Sequence, residues 1–189
     1  MKRTILAAAA TAVALTLGAC GSTTSATTAD QTSTATSASE VNPHDAMFVA
    51  MMIPHHEQAI EMSDLVPSRS DSQEVKDLAR QIKDAQGPEI EQMSGWLREW
   101  GMTAGGMDHS GHGMDGMMSD AEMTDLKGLS GAAFDTKWLE MMIEHHEGAI
   151  TMAEGVRKNG SDPRVRDLAD AIIEGQEKEI SQMKGMLAS

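Results

Sequence analysis

Two adjacent histidine pairs, each preceded by a methionine pair, are the residues of this sequence best suited to do chemistry. In both motifs each methionine stands four residues before a histidine, so on a helix the two side chains lie one turn apart on the same side. A thioether and an imidazole at that spacing can meet one metal ion, and thioethers favour soft copper(I) or silver(I) over zinc, magnesium or calcium. The candidate ligands are Met51, Met52, His55, His56 and Met62 in the first motif and Met141, Met142, His145, His146 and Met152 in the second.

The same residues also fit other roles. Methionines often fill hydrophobic cores, and buried histidines often serve as hydrogen-bonded packing residues. Two histidine pairs that meet within a fold could also form a catalytic or proton-linked site. Spacing alone leaves these alternatives open.

A second group of candidate ligands lies in residues 101–123, between the two motifs. This segment is rich in glycine and shows no helical or strand period. Because such a backbone is too mobile to bury side chains in register, we expect exposed thioethers that can converge on a metal ion. The segment resembles the copper- or silver-binding segments of exported metal-handling proteins, and a linker of biased composition is the alternative. Its candidate ligands are Met107, His109, His112, Met114, Met117 and Met118.

The elements that position the histidines belong to an internal repeat. An ungapped offset of 90 residues superposes the two motifs and continues through the helices that follow them. Each copy reads as two helices, and no segment alternates with a strand period. The sequence therefore predicts an all-α protein, an antiparallel four-helix bundle built from two repeated helical hairpins.

Local signals predict where these helices begin and end. The first helix is expected from about Pro43 to Val66, and the second begins near Asp71 or Ser72. In the second copy, residues 159–160 end one helix, and Asp162 followed by Pro163 begins the next. Helical periodicity places His55 and His56 on the broad inward face of the first helix, whereas the acidic side chains mostly face water. Those acidic residues are Glu57, Glu61 and Asp64.

The amino-terminal residues have the layout of a bacterial export signal. Lys2 and Arg3 precede an apolar run that ends in Leu17-Gly18-Ala19-Cys20, which resembles a lipobox. We therefore expect a signal peptide over residues 1–19 and a lipid anchor on Cys20, with an ordinary signal peptide as the alternative. Residues 20–42 read as a disordered Ser/Thr/Ala tether. The helical domain then spans 43–189, with repeat one at 44–100, the methionine segment at 101–123 and repeat two at 124–189.

Composition narrows the function classes. The net charge of −14 argues against a nucleic-acid partner, which requires a basic patch, and suits a protein that meets cations. Methionine reaches 17 of 189 residues, whereas aromatic residues are scarce. No serine-nucleophile or His-Glu-x-x-His motif is present, and the one cysteine is the predicted lipidation site. These observations favour a protein that is not an enzyme.

The two motifs resemble the domain-of-unknown-function 305 family, whose core pattern is Met-Met-Ile-x-His-His-x-x-Ala-Ile-x-Met. Residues 51–62 and 141–152 both match it, and the resemblance covers roughly residues 44–187. It implies a ferritin-like helical bundle, export from the cytoplasm and, for some members, periplasmic copper binding and tolerance. Glu144 replaces the proline of the pattern and could add a carboxylate ligand. A di-iron site needs inward glutamates and Glu-x-x-His pairs, and no histidine here has glutamate three residues before it.

The leading hypothesis is an extracytoplasmic, membrane-anchored protein that binds copper(I) and sequesters or handles it. Silver(I) would satisfy the same ligands. One alternative is an enzyme that uses the paired histidines. Another is a structural or interaction lipoprotein, with Trp96, Trp100 and Trp138 as candidate contacts.

Overall fold

The computed structural model describes residues 41–103 and 116–189, and all the regular secondary structure in these ranges is helical. The predicted all-α class is therefore confirmed. The helices in chain order are α1 (Pro43–Arg69), α2 (Gln73–Glu99), α3 (Asp120–Gly128), α4 (Gly131–Asn159) and α5 (Pro163–Leu187).

The predicted helix starts are confirmed by their capping hydrogen bonds. The Ser72 side chain accepts a hydrogen bond from the Val75 amide at the start of α2, and the Asp162 carboxylate accepts one from the Arg164 amide at the start of α5. Each cap satisfies an amide that has no partner within its helix. Helix α1 begins at Pro43, as predicted, but continues to Arg69.

Gly160 follows the end of α4, and its lack of a side chain is required by tertiary packing that the sequence did not reveal. Its φ of −74° is available to any residue, so the glycine is not required by a left-handed conformation. A β carbon at this position would instead collide with the Asp45 carboxylate and lie 2.7 Å from the Val156 carbonyl oxygen. Asp45 is buried and accepts hydrogen bonds from the amides of Ser161 and Asp162, at 2.9 and 2.8 Å. Gly160 thus makes room for a carboxylate that ties α1 to the start of α5.

The four long helices form two antiparallel hairpins, α1 with α2 and α4 with α5, which meet through α1 and α4. Buried apolar residues form two clusters. The first cluster contains residues of the carboxyl-terminal half of α1 and the amino-terminal half of α4. The second cluster contains residues of the amino-terminal half of α1 and the carboxyl-terminal half of α4. Helices α1 and α4 therefore cross antiparallel, with their central turns between the two clusters. Representative members are Met62, Leu78, Phe134, Trp138 and Met183 in the first cluster and Phe48, Met52, Met93, Val156 and Ile172 in the second.

The short helix α3 was not predicted and corrects the boundary at residue 123. It begins at Asp120, inside the segment expected to have no regular structure, and ends before α4. Ser119 and Glu122 form a reciprocal capping box at its start, a pattern that is visible in the sequence. Met123 and Leu126 are buried in the first apolar cluster, so tertiary packing stabilises this helix despite its length.

Residues 1–19, Cys20 and most of the expected tether lie outside the described residues. Within the two ranges that the structure describes, no helix has the length and apolarity needed to cross a bilayer.

Candidate metal centre

Four histidines lie between the two apolar clusters, and we call them the histidine layer: His55 and His56 on α1, and His145 and His146 on α4. All four side chains are fully buried, which confirms that they face inward. The His55 and His145 rings lie 3.8 Å apart between centroids, with an interplanar angle of 42°, and the His145 and His146 centroids lie 6.4 Å apart. The antiparallel crossing of α1 and α4 therefore brings one histidine of each motif into direct contact.

The other histidine of each motif pairs with a glutamate of its own hairpin. His56 Nε2 lies 2.8 Å from Glu89 Oε2 on α2, and His146 Nε2 lies 2.7 Å from Glu179 Oε2 on α5. Because a carboxylate accepts hydrogen bonds, this contact favours the proton on Nε2 and leaves a lone pair on Nδ1. Neither Nδ1 has a hydrogen-bond partner among the described residues. A carboxylate that fixes the tautomer of an imidazole in this way is typical of metal-binding histidines.

His145 is held as a neutral imidazole. Burial lowers its pKa well below the usual value of 6.5, because a charged ring would lose its hydration. The charges that His55, His146 and His56 would carry when protonated lower the pKa further, whereas a weaker interaction with the His55 backbone acts in the opposite direction. Neither ring nitrogen of His145 makes a hydrogen bond of ordinary geometry to the described chain. The neutral ring therefore keeps one nitrogen lone pair, and neutral imidazole is the form of histidine that binds metals.

Two buried glutamines extend the polar layer. Gln86 and Gln176 lie one turn before Glu89 and Glu179, at equivalent positions of the repeat. Both amide atoms of Gln86 and the Oε1 of Gln176 have no hydrogen-bond partner among the described residues. The layer therefore contains more polar atoms than the surrounding helices satisfy.

The motif methionines lie in or beside the apolar clusters. Met52 belongs to the second cluster, and Met62, Met141 and Met142 belong to the first, while Met51 is buried and Met152 is partly buried. These side chains therefore fill the core, as the structural alternative requires. No group of three or more His, Cys, Asp or Glu side chains in residues 41–103 and 116–189 is arranged to hold a metal ion.

The end of the methionine segment is docked onto the bundle, and we call residues 116–118 the strap. Gln58 on α1 donates to the Met118 carbonyl oxygen at 2.8 Å and accepts from the Met118 amide at 2.7 Å. Met118 is buried in the first apolar cluster, and Met117 is partly buried. The expectation of exposed thioethers is therefore wrong for Met118, because Gln58 fixes its backbone and the cluster takes its side chain. The other candidate ligands of this segment lie outside the described residues: Met107, His109, His112 and Met114.

Gly116 lets the strap cross α4 at the histidine layer. A β carbon here would lie 2.6 Å from the Glu144 carbonyl oxygen and 3.0 Å from both the His145 carbonyl oxygen and Gly148 Cα. Its φ of +80° also favours glycine. Gly148 and Gln58 occupy equivalent positions of the repeat, and both contact the strap. The strap therefore docks where the two copies differ in sequence.

Sequence reasoning missed Glu89, Glu179, Gln86 and Gln176 as members of the site. The available signal was their identity between the two copies, at polar positions on otherwise buried helix faces. Glu89 and Glu179 also supply inward carboxylates, although a Glu-x-x-His pair is still absent from the sequence. Glu144, considered as an extra ligand, is exposed and so lies outside the buried layer.

The tryptophans proposed as protein contacts are mainly packing residues. Trp138 is fully buried and donates from Nε1 to the Met62 carbonyl oxygen at 3.1 Å. Trp96 is buried, stacks on Trp100 and lies beneath the Arg164 guanidinium.

Comparison with known proteins places the chain in a family. Residues 45–187 match the family described as Domain of unknown function (DUF305), so the chain belongs to it. A crystal structure of a DUF305 protein from Streptomyces coelicolor, described as a candidate secreted protein, is 38% identical with a TM-score of 0.73, covering 77% of this chain and 92% of that one.

Structures of CopM are also similar. CopM in the Cu(II)-bound form is 35% identical with a TM-score of 0.66, covering 76% of this chain and 95% of that one. CopM in the Cu(I)-bound form is 31% identical with a TM-score of 0.65, covering 75% and 94%. An uncharacterized protein, L153 of Acanthamoeba polyphaga mimivirus, is 42% identical over 53 residues, 28% of this chain and 35% of that protein. The chain thus matches about a third of the length of the viral protein.

Proposed function

We propose that this protein binds copper(I) at the histidine layer and sequesters or hands on the ion outside the cytoplasm, without catalysing a reaction. Silver(I) would occupy the same ligands. The observation that carries the proposal is the contact of the His55 and His145 rings, 3.8 Å apart between centroids in a fully buried layer. At this contact the neutral His145 ring has two nitrogens without hydrogen-bond partners in the described chain.

The chemistry of the layer favours a soft monovalent ion. The His145 imidazole is neutral, and the buried motif methionines beside the layer carry uncharged thioethers. Zinc, magnesium and calcium are usually held by at least three carboxylate, thiolate, imidazole or other oxygen ligands. The described residues bring no group of three such His, Cys, Asp or Glu side chains together. The net charge of −14 would attract cations to the domain.

Similarity to CopM supports the same conclusion at the level of the family. CopM has been crystallised with Cu(I), Cu(II) and silver, and it shares the fold of this chain at 31 to 35% identity. Metal binding by this related protein supports metal binding by this chain at the level of the family.

We place the site outside the cytoplasm, on a lipid-anchored protein. The lipobox-like sequence before Cys20 and the candidate secreted relative from Streptomyces coelicolor both support export. The methionine segment, whose sequence supplies several thioethers and imidazoles, would then capture ions and exchange them with the layer.

The test is a titration of the mature chain with copper(I) against a competing chelator. Cys20 is replaced by serine so that a free thiol does not bind copper. The paired substitution His55→Gln and His145→Gln should weaken the affinity at least about tenfold, because it removes two ligands. His44→Gln is the matched control, since His44 is an exposed histidine on the same helix.

A second variant distinguishes copper binding at the histidine layer from copper binding at the methionine segment. Replacing Met107, His109, His112 and Met114 with serine should lower the number of ions bound but leave the tight site. Circular dichroism establishes that each variant is folded. If the folded His55/His145 variant binds copper(I) as tightly as the parent chain, the layer is not the site and the proposal is wrong.

A further inference from the structure

The two glutamates of the histidine layer are equivalent in the repeat but not in their surroundings. The Glu89 side chain is 21% exposed, whereas that of Glu179 is 7% exposed. Each lies within 2.8 Å of a fully buried histidine. One end of the polar layer therefore reaches solvent through a carboxylate, and the equivalent end is nearly closed.

A difference between the copies at one position accompanies this asymmetry. Gln81 on α2 donates from Nε2 to Glu179 Oε1 at 3.1 Å and covers that carboxylate. The residue on α5 equivalent to Gln81 is Ala171, which has no side chain long enough to reach Glu89. Glu179 is thus held by both His146 and Gln81, while Glu89 keeps one oxygen available to solvent.

The described chain covers the layer at the seam between α1 and α4 and along the bundle axis. The strap crosses the seam between α1 and α4, fixed by Gln58 and by the close approach of Gly116 to the His145 carbonyl oxygen. The two apolar clusters close the layer along the bundle axis. Of the two described glutamates that contact the layer histidines, Glu89 is therefore the one that reaches solvent more readily.

We propose that Glu89 is the access point for cations, which pass from its exposed carboxylate to His56 and then into the histidine layer. This inference rests on the proposed function, since it concerns how the same ion reaches the same site. A carboxylate at the mouth of a low-dielectric passage concentrates cations and raises their association rate. Glu179 is a positioning residue that holds His146, and access through it is blocked by Gln81.

The experiment measures the rate at which the protein captures silver(I), a redox-stable probe. The full chain carries serine at Cys20, Met107, His109, His112 and Met114, which removes the candidate ligands that precede the strap. After rapid mixing with Ag(I), excess chelating resin removes the free ion at set times, and retained silver is measured by mass spectrometry. Equilibrium affinity is measured separately by competition.

Two glutamate substitutions separate access from positioning. Glu89→Gln and Glu179→Gln should weaken equilibrium affinity to a similar degree, because each releases one histidine. Only Glu89→Gln should also slow capture by about tenfold or more, whereas Glu179→Gln should slow it at most about twofold. Glu91→Gln is the charge-matched control, since Glu91 is an exposed glutamate on the same helix as Glu89.

Ala171→Gln tests the same idea without touching either glutamate. The new glutamine on α5 should cover Glu89 as Gln81 on α2 covers Glu179. We therefore expect silver capture to slow severalfold while the equilibrium affinity stays unchanged. Equal slowing by Glu89→Gln and Glu179→Gln, or capture by Ala171→Gln at the parent rate, would overturn the access role while leaving the metal site intact. A parent chain that retains no silver at equilibrium would instead overturn the proposed function, and the access role with it.

Discussion

Substitution of Gly116 by alanine should detach or strain the strap, because two independent constraints meet at this residue. Its φ of +80° lies in the left-handed region, which disfavours a β carbon. The added methyl group would also lie 2.6 Å from the Glu144 carbonyl oxygen and 3.0 Å from Gly148 Cα. These atoms belong to the backbone in the middle of α4, so they cannot move aside as a flexible side chain would.

The size of the effect follows from two competing costs. Keeping the strap in place costs about 1–2 kcal/mol for the left-handed alanine and about 1–3 kcal/mol more for the overpacking. Releasing the strap forfeits about 1.5–3 kcal/mol from burial of Met118 and about 0.5–1.5 kcal/mol for each of its two hydrogen bonds with Gln58. Because the chain takes the cheaper route, we expect Gly116→Ala to lower the free energy of unfolding by about 2–4 kcal/mol.

Urea unfolding followed by circular dichroism measures this change, and Gly101→Ala is the matched control. Gly101 has a φ of +71°, but a β carbon added there would meet no atom within 4 Å, so its substitution tests the backbone cost alone. If the strap detaches, adding Gln58→Ala to Gly116→Ala should cost nothing further. Equal destabilisation by Gly116→Ala and Gly101→Ala would refute the close approach to α4 on which this reasoning depends.

Two further predictions concern other parts of the fold. Because the pKa of His145 is lowered, the unfolded chain takes up a proton below pH 6.5 that the folded chain does not, so the free energy of unfolding should fall on acidification. For this one group the free energy of unfolding should change by at most about 1.4 kcal/mol per pH unit. The substitution His145→Gln should reduce this pH dependence, and urea unfolding midpoints of the parent and the variant between pH 7 and 5 measure the difference. Gly160→Ala should lower the thermal unfolding midpoint markedly, since its β carbon would collide with Asp45 and disturb the amides that Asp45 holds; an unchanged midpoint would contradict this packing.

The helices and the inward direction of the histidines could be predicted because their signals are local. Ser72 and Asp162 cap helices through amides only two or three residues away. The direction of His55 and His56 follows from the helical period within one segment. The repeat then transferred the same conclusions to His145 and His146 without any knowledge of packing.

The composition of the site could not be predicted in the same way, because it depends on the register between helices. His56 and Glu89 are 33 residues apart and on different helices, and nothing within either segment identifies the other as its partner. The docking of the strap could not be predicted for the same reason, because the contact joins Gln58 to Met118, 60 residues away in the sequence. The start of α3 is the one omission with a local signal, because Ser119 and Glu122 form a recognisable capping box.

The polar layer also sets a balance between stability and binding. Buried ring nitrogens and amide atoms without protein partners cost about 1–3 kcal/mol each, so apolar side chains at these positions would make a more stable bundle. Both copies nevertheless bury two histidines and a glutamine at the centre of the fold, and in each copy a glutamate pairs with one of the histidines. An ion that occupies the free lone pairs would recover part of that free energy and would bind only the folded chain. Binding at the layer should therefore stabilise the whole bundle, whereas binding confined to the methionine segment would leave its unfolding unchanged.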